Sequence, residues 1–386
     1  MAVSRINEAG LNVNQYGNRN LIINGAMQVS QRGDSTGVTA EGYHGPDRFQ
    51  ISESGRDQFQ VSISQASDGP DGYSNSYKVQ TTTAESAIDA SEYVLVRQVV
   101  EAQNLQHLKY GTSSAQQLTA SFWVKSSIAA TFGVFMYQYD GGRVIGSTYT
   151  INATNTWEYK TVTFVGDTSG TINDDNGSGQ YIAFTLAAGS DMRTTDNTSW
   201  SAYASGKLGY GHTTAANAVM TTTNATWQVT GVQLEVGDTA TDFEHRTFGD
   251  ELQRCSRYYQ RTKAASDTYK HFGLVFIGAD AGGVSYGTLA VPLVTTMRTV
   301  PSLETTGTVS NYALWVKNTN TALSTFSVDT GIDDGTINGQ LYLNAYASVS
   351  AGAGSCGAVR ANTVSYTHLR AHETRHDLVC RLLLEK

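Results

Sequence analysis

The stretch RAHETRHDLV near the C-terminus holds His372, Glu373 and His376 in the order H-E-x-x-H. On a helix, imidazoles at i and i+4 share one face and can grip a zinc ion, whose bound water the glutamate activates. A zinc hydrolase also needs a third ligand and a surrounding domain, and only ten residues follow His376. The motif therefore stands or falls with the segment that carries it. Other reactive combinations are sparse. Asp140, Glu158 and Asp191 are carboxylates of the kind that cleave glycosides in facing pairs, but spacing alone does not make them face one another. The runs NDDNG (173–177) and IDDG (332–335) offer oxygen ligands for calcium and serve equally as turn chemistry. There is no P-loop. No metal, cofactor or catalytic residue is expected, and the protein is read as a non-enzyme.

The elements that must position any site are strands. Charged residues are 16% of the 386-residue chain against a usual ~25%, and 38 glycines and 21 tyrosines accompany abundant Ser, Thr and Asn. β-Branched and aromatic residues favour strands, while Gly and Asn serve turns. A net charge of −8 with no basic stripe argues against nucleic-acid binding. No apolar run approaches ~18 residues and the N-terminus lacks an apolar signal core, so neither membrane insertion nor secretion is expected. From about Asn20 to Glu235 the chain alternates in short runs such as QFQVSIS, LTASFWVKS, TFGVFMYQYD and WEYKTVTFVG. That texture predicts an all-β sandwich or barrel. In WQVTGVQLE, Trp227 and Val229 share one face but Val232 and Leu234 take the other, which predicts a bulge at Thr230 and Gly231.

One helix is expected, over 247–263. Thr247 and Asp250 form a capping box, and Phe248, Leu252, Cys255 and Tyr259 make an apolar stripe. A second, smaller β domain follows over 264–363. From Tyr366 onward the texture changes, with three of the protein's eight histidines and one third of the residues charged.

Several stretches carry a resemblance. NRNLIINGAMQVSQRG, GYHGPDRFQ, WQVTGVQLEVGDTATDFEHRTFGDELQRCSRYYQRT and VPLVTTMRTVPSL resemble recurrent segments of bacteriophage tail-fibre and related virion appendage proteins. The first domain, residues 20–246, also resembles jelly-roll carbohydrate-binding modules, in which an N..ING entry and a GVQLE strand bracket SFWVK and WEYKTVTF. These resemblances imply a jelly-roll β-sandwich, an attachment segment over 1–19, recognition of a bacterial surface polysaccharide, contacts with other virion tail proteins, a homotrimer, and a place in the virion tail after assembly in the host cytoplasm. The alternative activity is a tailspike-like polysaccharide depolymerase, which is expected to show long parallel β-helix repeats of fixed period, which the chain lacks, or an acidic cleft. The third resemblance explains the change of texture. VSYTHLRAHET resembles one reading frame of a transposon-type sequencing-library adapter, and DLVCRLLLEK resembles its continuation, so residues 364–386 are expected to be foreign to the fold. That makes the second histidine of the zinc motif an accident and leaves the C-terminal β domain cut short.

Sugar recognition needs aromatic rings to stack on the apolar faces of sugars, with Asn, Gln and Asp around them for the hydroxyls. Trp123 lies opposite Phe122 and Val124, facing outward or at a rim. Tyr137 and Tyr139 share a face, beside Gln138 and Asp140; they form either a sugar platform or ordinary sandwich aromatics. Trp200 and Tyr203, in the long polar segment SDMRTTDNTSWSAYASGKLGYG, are candidates to line a recognition loop, whereas Trp157 and Phe164 are expected in the core.

Overall fold

The computed structural model describes residues 18–55, 58–194, 197–203, 208–263, 270–279, 285–305, 312–316, 319–328, 336–337, 340–347, 356–361 and 366–370. The chain divides into two units, Met1–Glu251 and Leu252–Lys386. His372, Glu373 and His376 lie outside the described residues, as does the run 332–335.

The first unit is a jelly-roll sandwich of two antiparallel sheets. Its six-stranded sheet runs β1 (Ser35–Val38), β4 (Gln60–Ala66), β5 (Ser76–Thr83), β15 (Thr226–Val236), β7 (Leu118–Ser126) and β10 (Glu158–Phe164). The seven-stranded sheet runs β13 (Asn197–Ala202), β9 (Arg143–Thr150), β8 (Thr131–Gln138), β11 (Ser178–Ala188), β6 (Tyr93–Glu101), β3 (Gln50–Ser54) and β2 (Gly42–Tyr43). A short parallel pair, β12 (Arg193–Thr194) and β14 (Gly209–Tyr210), stands apart. Alternation sends one side of each strand inward. Leu118, Ala120, Phe122 and Val124 of β7 meet Val162 and Phe164 of β10 and Phe132, Val134 and Met136 of β8 in one core around the fully buried Trp227. The Trp227 indole donates to the Tyr149 hydroxyl at 3.1 Å, so its one polar atom is satisfied inside.

The predicted bulge is present. The pairing of β15 with β7 shifts between Thr230 and Gln233, and Gly231 adopts φ +60°. The shift returns Val232 and Leu234 to the core after Trp227 and Val229.

The recurrent segments tie the two ends of the sandwich together. The Asn20 carboxamide receives the N–H of Leu234 (3.0 Å) and donates to the Val232 carbonyl (3.0 Å). Glu244 accepts the N–H groups of Asn18 (2.9 Å) and Asn20 (2.7 Å). Arg246 donates to the Asn20 and Ile22 carbonyls and pairs with Glu244 (3.0 Å) and Glu251 (3.2 Å). Glu251 in turn accepts the N–H of Asn24 at 2.6 Å.

The helix differs from expectation. With α1 (Ala218–Thr221) a single turn, α2 (Phe248–Ser256) is the longer of the two described α-helices and has nine residues, while Tyr259–Lys263 is strand β16. Thr247 caps it, accepting the Asp250 N–H at 3.2 Å and donating to the Asp250 carboxylate at 2.7 Å. The expected stripe is only partly buried: Phe248 is 57% exposed and Leu252 half-buried, while Glu251 is buried, because its carboxylate rather than an apolar side chain anchors the first turn.

His212 gives the first unit an acid-sensitive point. Buried against Phe132, it accepts the Gly133 N–H at Nδ1 (3.4 Å) and so presents Nε2–H to the Asn217 carboxamide oxygen (2.9 Å), which holds it neutral. Burial pushes its pKa down to about 4, with the Asn217 bond opposing and Arg193 reinforcing. A depressed folded pKa means that the stabilisation is complete above the unfolded value of ~6.5 and is eroded as pH falls from there toward 4. Chemical denaturation of the wild type is expected to lose up to about 3 kcal/mol over this window in excess of a His212→Gln variant. Parallel curves for the two proteins refute the assignment.

In the second unit an antiparallel sheet is built from β17 (Lys270–Ala279), β18 (Ser285–Pro292), β20 (Tyr312–Val316), β21 (Thr319–Ala322), β22 (Thr325–Val328), β23 (Thr336–Ile337), β24 (Gln340–Ala347) and β25 (Cys356–Ala361), around Leu289, Tyr312, Leu314, Leu343 and Val359. A three-stranded sheet sets β26 (Tyr366–Arg370) between β16 and β19 (Ser302–Thr305). Those five residues open the segment of foreign texture. The pairing of β26 with β16 on one side and β19 on the other is backbone pairing, which does not depend on side-chain identity.

Candidate functional site

A groove of about 710 Å³ lies on the outer face of the six-stranded sheet. Its floor follows from the alternation that fills the core: because Phe122 and Phe164 point in, Thr119, Ser121 and Trp123 of β7 and Tyr159, Thr161 and Thr163 of β10 point out. The strands set these side chains in opposed pairs, Tyr159 with Trp123, Thr161 with Ser121 and Thr163 with Thr119. Trp123 and Tyr159 stand 5.3 Å apart between ring centroids, and Tyr159 is 44% exposed. Thr119 and Thr163 hydroxyls bond one another at 2.9 Å, and Thr119 donates to the Gly237 carbonyl at 2.8 Å.

The segment Asp238–Phe243 forms one wall. Buried Glu235 holds it by accepting the Thr241 N–H (2.8 Å) and hydroxyl (2.6 Å), and the Gln233 amide braces Glu235 at 2.8 Å. Arg19 pairs with Glu235 at 3.2 Å and donates to the Asp242 carbonyl. Tyr73 closes another side, packed edge-on against Phe243 at 5.3 Å. Burial, with Tyr159 and Asp242 nearby, pushes the Tyr73 phenol up to about 12, so at neutral pH it carries its proton.

Gly231 makes room for Tyr73: a Cβ there would lie 2.8 Å from the ring. Gly231→Ala therefore meets both a left-handed backbone and a ring. It is expected to cost about 1–3 kcal/mol in urea denaturation and to widen the groove by displacing Tyr73. An unchanged midpoint removes this account of the bulge.

Trp123 is in this groove, and Tyr159, Tyr73 and Phe243 are its unanticipated partners. Tyr159 was accessible from the sequence, since WEYKTVTF places it in phase with Thr161 and Thr163. Trp157 shares that phase and is not in the core as expected; it is half-buried on the outer face, with its indole on Asp68 (3.3 Å) and the Lys125 ammonium over its ring at 4.9 Å. Phe164 is in the core.

The other candidates fall elsewhere. Tyr137, Tyr139 and Tyr203 gather on the outer face of the seven-stranded sheet. There Tyr137 stacks on Tyr181 (5.3 Å) and meets Tyr139 and Tyr203 edge-on at 5.2 Å, above Leu95, Phe135 and Leu208. These half-buried rings spend much of their surface on one another. Gln138 is not beside them: it points inward, fully buried, with its carboxamide oxygen against Gly141 and Gly170, because it has the opposite phase to Tyr137. Asp140 is exposed and accepts the N–H and carboxamide of Asn173, both at 2.9 Å, fastening a turn. Trp200 is not on a polar loop. It sits in β13, 8% exposed, with its indole donating to the Val165 carbonyl at 2.7 Å and its ring edge-on to Tyr110.

No family model matches the chain. No curated protein matches it either. Among solved structures it is similar to the enzymatically active domain of tailspike protein 4 of bacteriophage CBA120, at 11% identity over 57% of this chain and 22% of that one, with a TM-score of 0.32. It is also similar to a family 11 carbohydrate-binding module of Clostridium thermocellum solved with a β-1,3-1,4-mixed-linked tetrasaccharide (15% identity, 54% and 98% covered, TM-score 0.28). A third is the CBM22-1 xylan-binding domain of Paenibacillus barcinonensis Xyn10C (10%, 57% and 96%, TM-score 0.26). The chain spans about a fifth of the tailspike's length. At such values the likeness decides no ligand, and the jelly-roll assignment rests on the sheets themselves.

The carboxylates take local roles. Against its partial burial, Glu158 is held down to about 2 by Lys160 (2.7 Å) and by the N–H groups of Ala153 and Asn152, which leaves it no proton to donate at neutral pH. In the 173–177 turn, Asp175 accepts the Gly177 N–H at 2.7 Å. Among the described residues no cluster of three His, Cys, Asp or Glu side chains is placed to hold a metal, and no helix is long and apolar enough to cross a membrane.

Proposed function

We propose that the jelly roll recognises a bacterial surface glycan, without cleaving it, as part of a phage tail-fibre-like appendage. The observation that carries this reading is the outward-facing pair of half-buried Trp123 and exposed Tyr159 above a floor of threonine and serine hydroxyls. Rings stack on the apolar faces of sugars while the threonine and serine hydroxyls of the floor exchange hydrogen bonds with the sugar's own. The tail-fibre assignment draws on the NLIING, QLEVG, FEHR and CSRYYQR segments, and with it come other virion tail proteins as partners and a homotrimeric assembly. Several copies on one particle raise the effective concentration, so weak single sites suffice.

The test is an array of bacterial surface polysaccharides probed with the full chain, each bound glycan then being sized after incubation. Binding that leaves chain length unchanged supports the proposal. Shortened glycan turns the protein into a depolymerase, and an array without a bound glycan ends the carbohydrate reading.

A further inference from the structure

The groove's charge is one-sided. Asp238 and Asp242 line it, and none of its lining residues is a lysine, arginine or histidine. Of the nearby cations, Lys125 pairs with Asp68, and Arg19 pairs with Glu235 at 3.2 Å while donating to the Asp242 backbone carbonyl. Both aspartates are exposed at the groove, so their repulsion of an anionic ligand is screened by salt and greatest at low ionic strength.

Resting on the glycan reading of this groove, we propose that Asp238 and Asp242 are its specificity-determining residues. They restrict it to polysaccharides without acidic groups, whether neutral or bearing free amines, and reject uronate, sialate, pyruvylated or phosphorylated chains. Specificity of this kind comes from an element hostile to the wrong ligand, and the stacking pair supplies affinity common to all. The acidic pair also favours an ammonium group on the sugar, so amino-bearing chains gain affinity over neutral ones as salt is lowered.

The experiment compares the full-length wild type, Trp123→Ala and Asp238→Asn/Asp242→Asn on one array holding neutral, amino-bearing and acidic bacterial polysaccharides, at two salt concentrations. The expected result is wild-type binding confined to neutral and amino-bearing chains and lost in Trp123→Ala. The double asparagine variant should keep neutral binding within about twofold, lose the low-salt advantage of amino-bearing chains, and gain at least tenfold on acidic ones. Acidic chains bound by the wild type through Trp123 overturn this inference and leave the glycan reading standing. Absence of any Trp123-dependent binding overturns both. A double variant with the wild-type ranking overturns the role of the two aspartates alone.

Discussion

Glycan binding by a Trp123→Ala/Tyr159→Ala variant is expected to fall at least 30-fold, while the far-ultraviolet spectrum and urea midpoint stay close to those of the wild type. The two rings face out from strands whose other faces hold Phe122 and Phe164, so removing them leaves the core filled. Exposed aromatic anchors at the centre of a binding site commonly carry ~2–4 kcal/mol each, which is about 30- to 1000-fold in affinity. Isothermal titration against a glycan bound by the wild type reads the loss directly. Binding retained within threefold moves the site to the tyrosine cluster around Tyr181.

Trp200→Ala should do the opposite. It empties a buried position between Tyr110 and the Val165 carbonyl and is expected to cost about 3–5 kcal/mol in urea denaturation. Below its own midpoint the variant should bind glycan as the wild type does, because Trp200 belongs to the core and not to the groove. A variant of wild-type stability that has lost binding restores Trp200 as a recognition residue.

The contrast between these two tryptophans shows what was legible in the sequence. Strand phase located Trp123 correctly, because LTASFWVKS alternates without interruption and Phe122 and Val124 define the inside. The same rule assigns Trp157 and Phe164 to opposite faces, and treating them as a pair ignored it. Gln138 lies opposite Tyr137 in its own strand for the same reason. Phase carries no information in a segment as polar as that around Trp200, where a buried ring and an exposed one look alike until the tertiary partners, Tyr110 and Val165, are in place. Nor did the sequence announce Tyr73 or Phe243, which reach the groove from connecting segments. Only the glycine of the bulge hinted that something must approach β15 closely there. The expected helix ran past Ser256 because Phe248, Leu252, Cys255 and Tyr259 keep a helical spacing, although Tyr258 and Tyr259 favour a strand and Tyr259 begins one.

The clasp that joins Asn18, Asn20 and Ile22 to Glu244, Arg246 and Glu251 has a mechanical meaning. Chain entry and chain exit are bonded to each other, so traction applied to the two ends of the first unit is borne by Arg246 and Glu244 before it reaches any strand. The path of force is a short bridge across the base of the sandwich, and the core around Trp227 lies off it. Yet the wall Asp238–Phe243 lies between the end of β15 and Glu244 in the chain, and Arg19 grips that wall from the entry side. A pull strong enough to part the bridge therefore slackens the groove next, while the core that must hold the groove's strands in place is still intact.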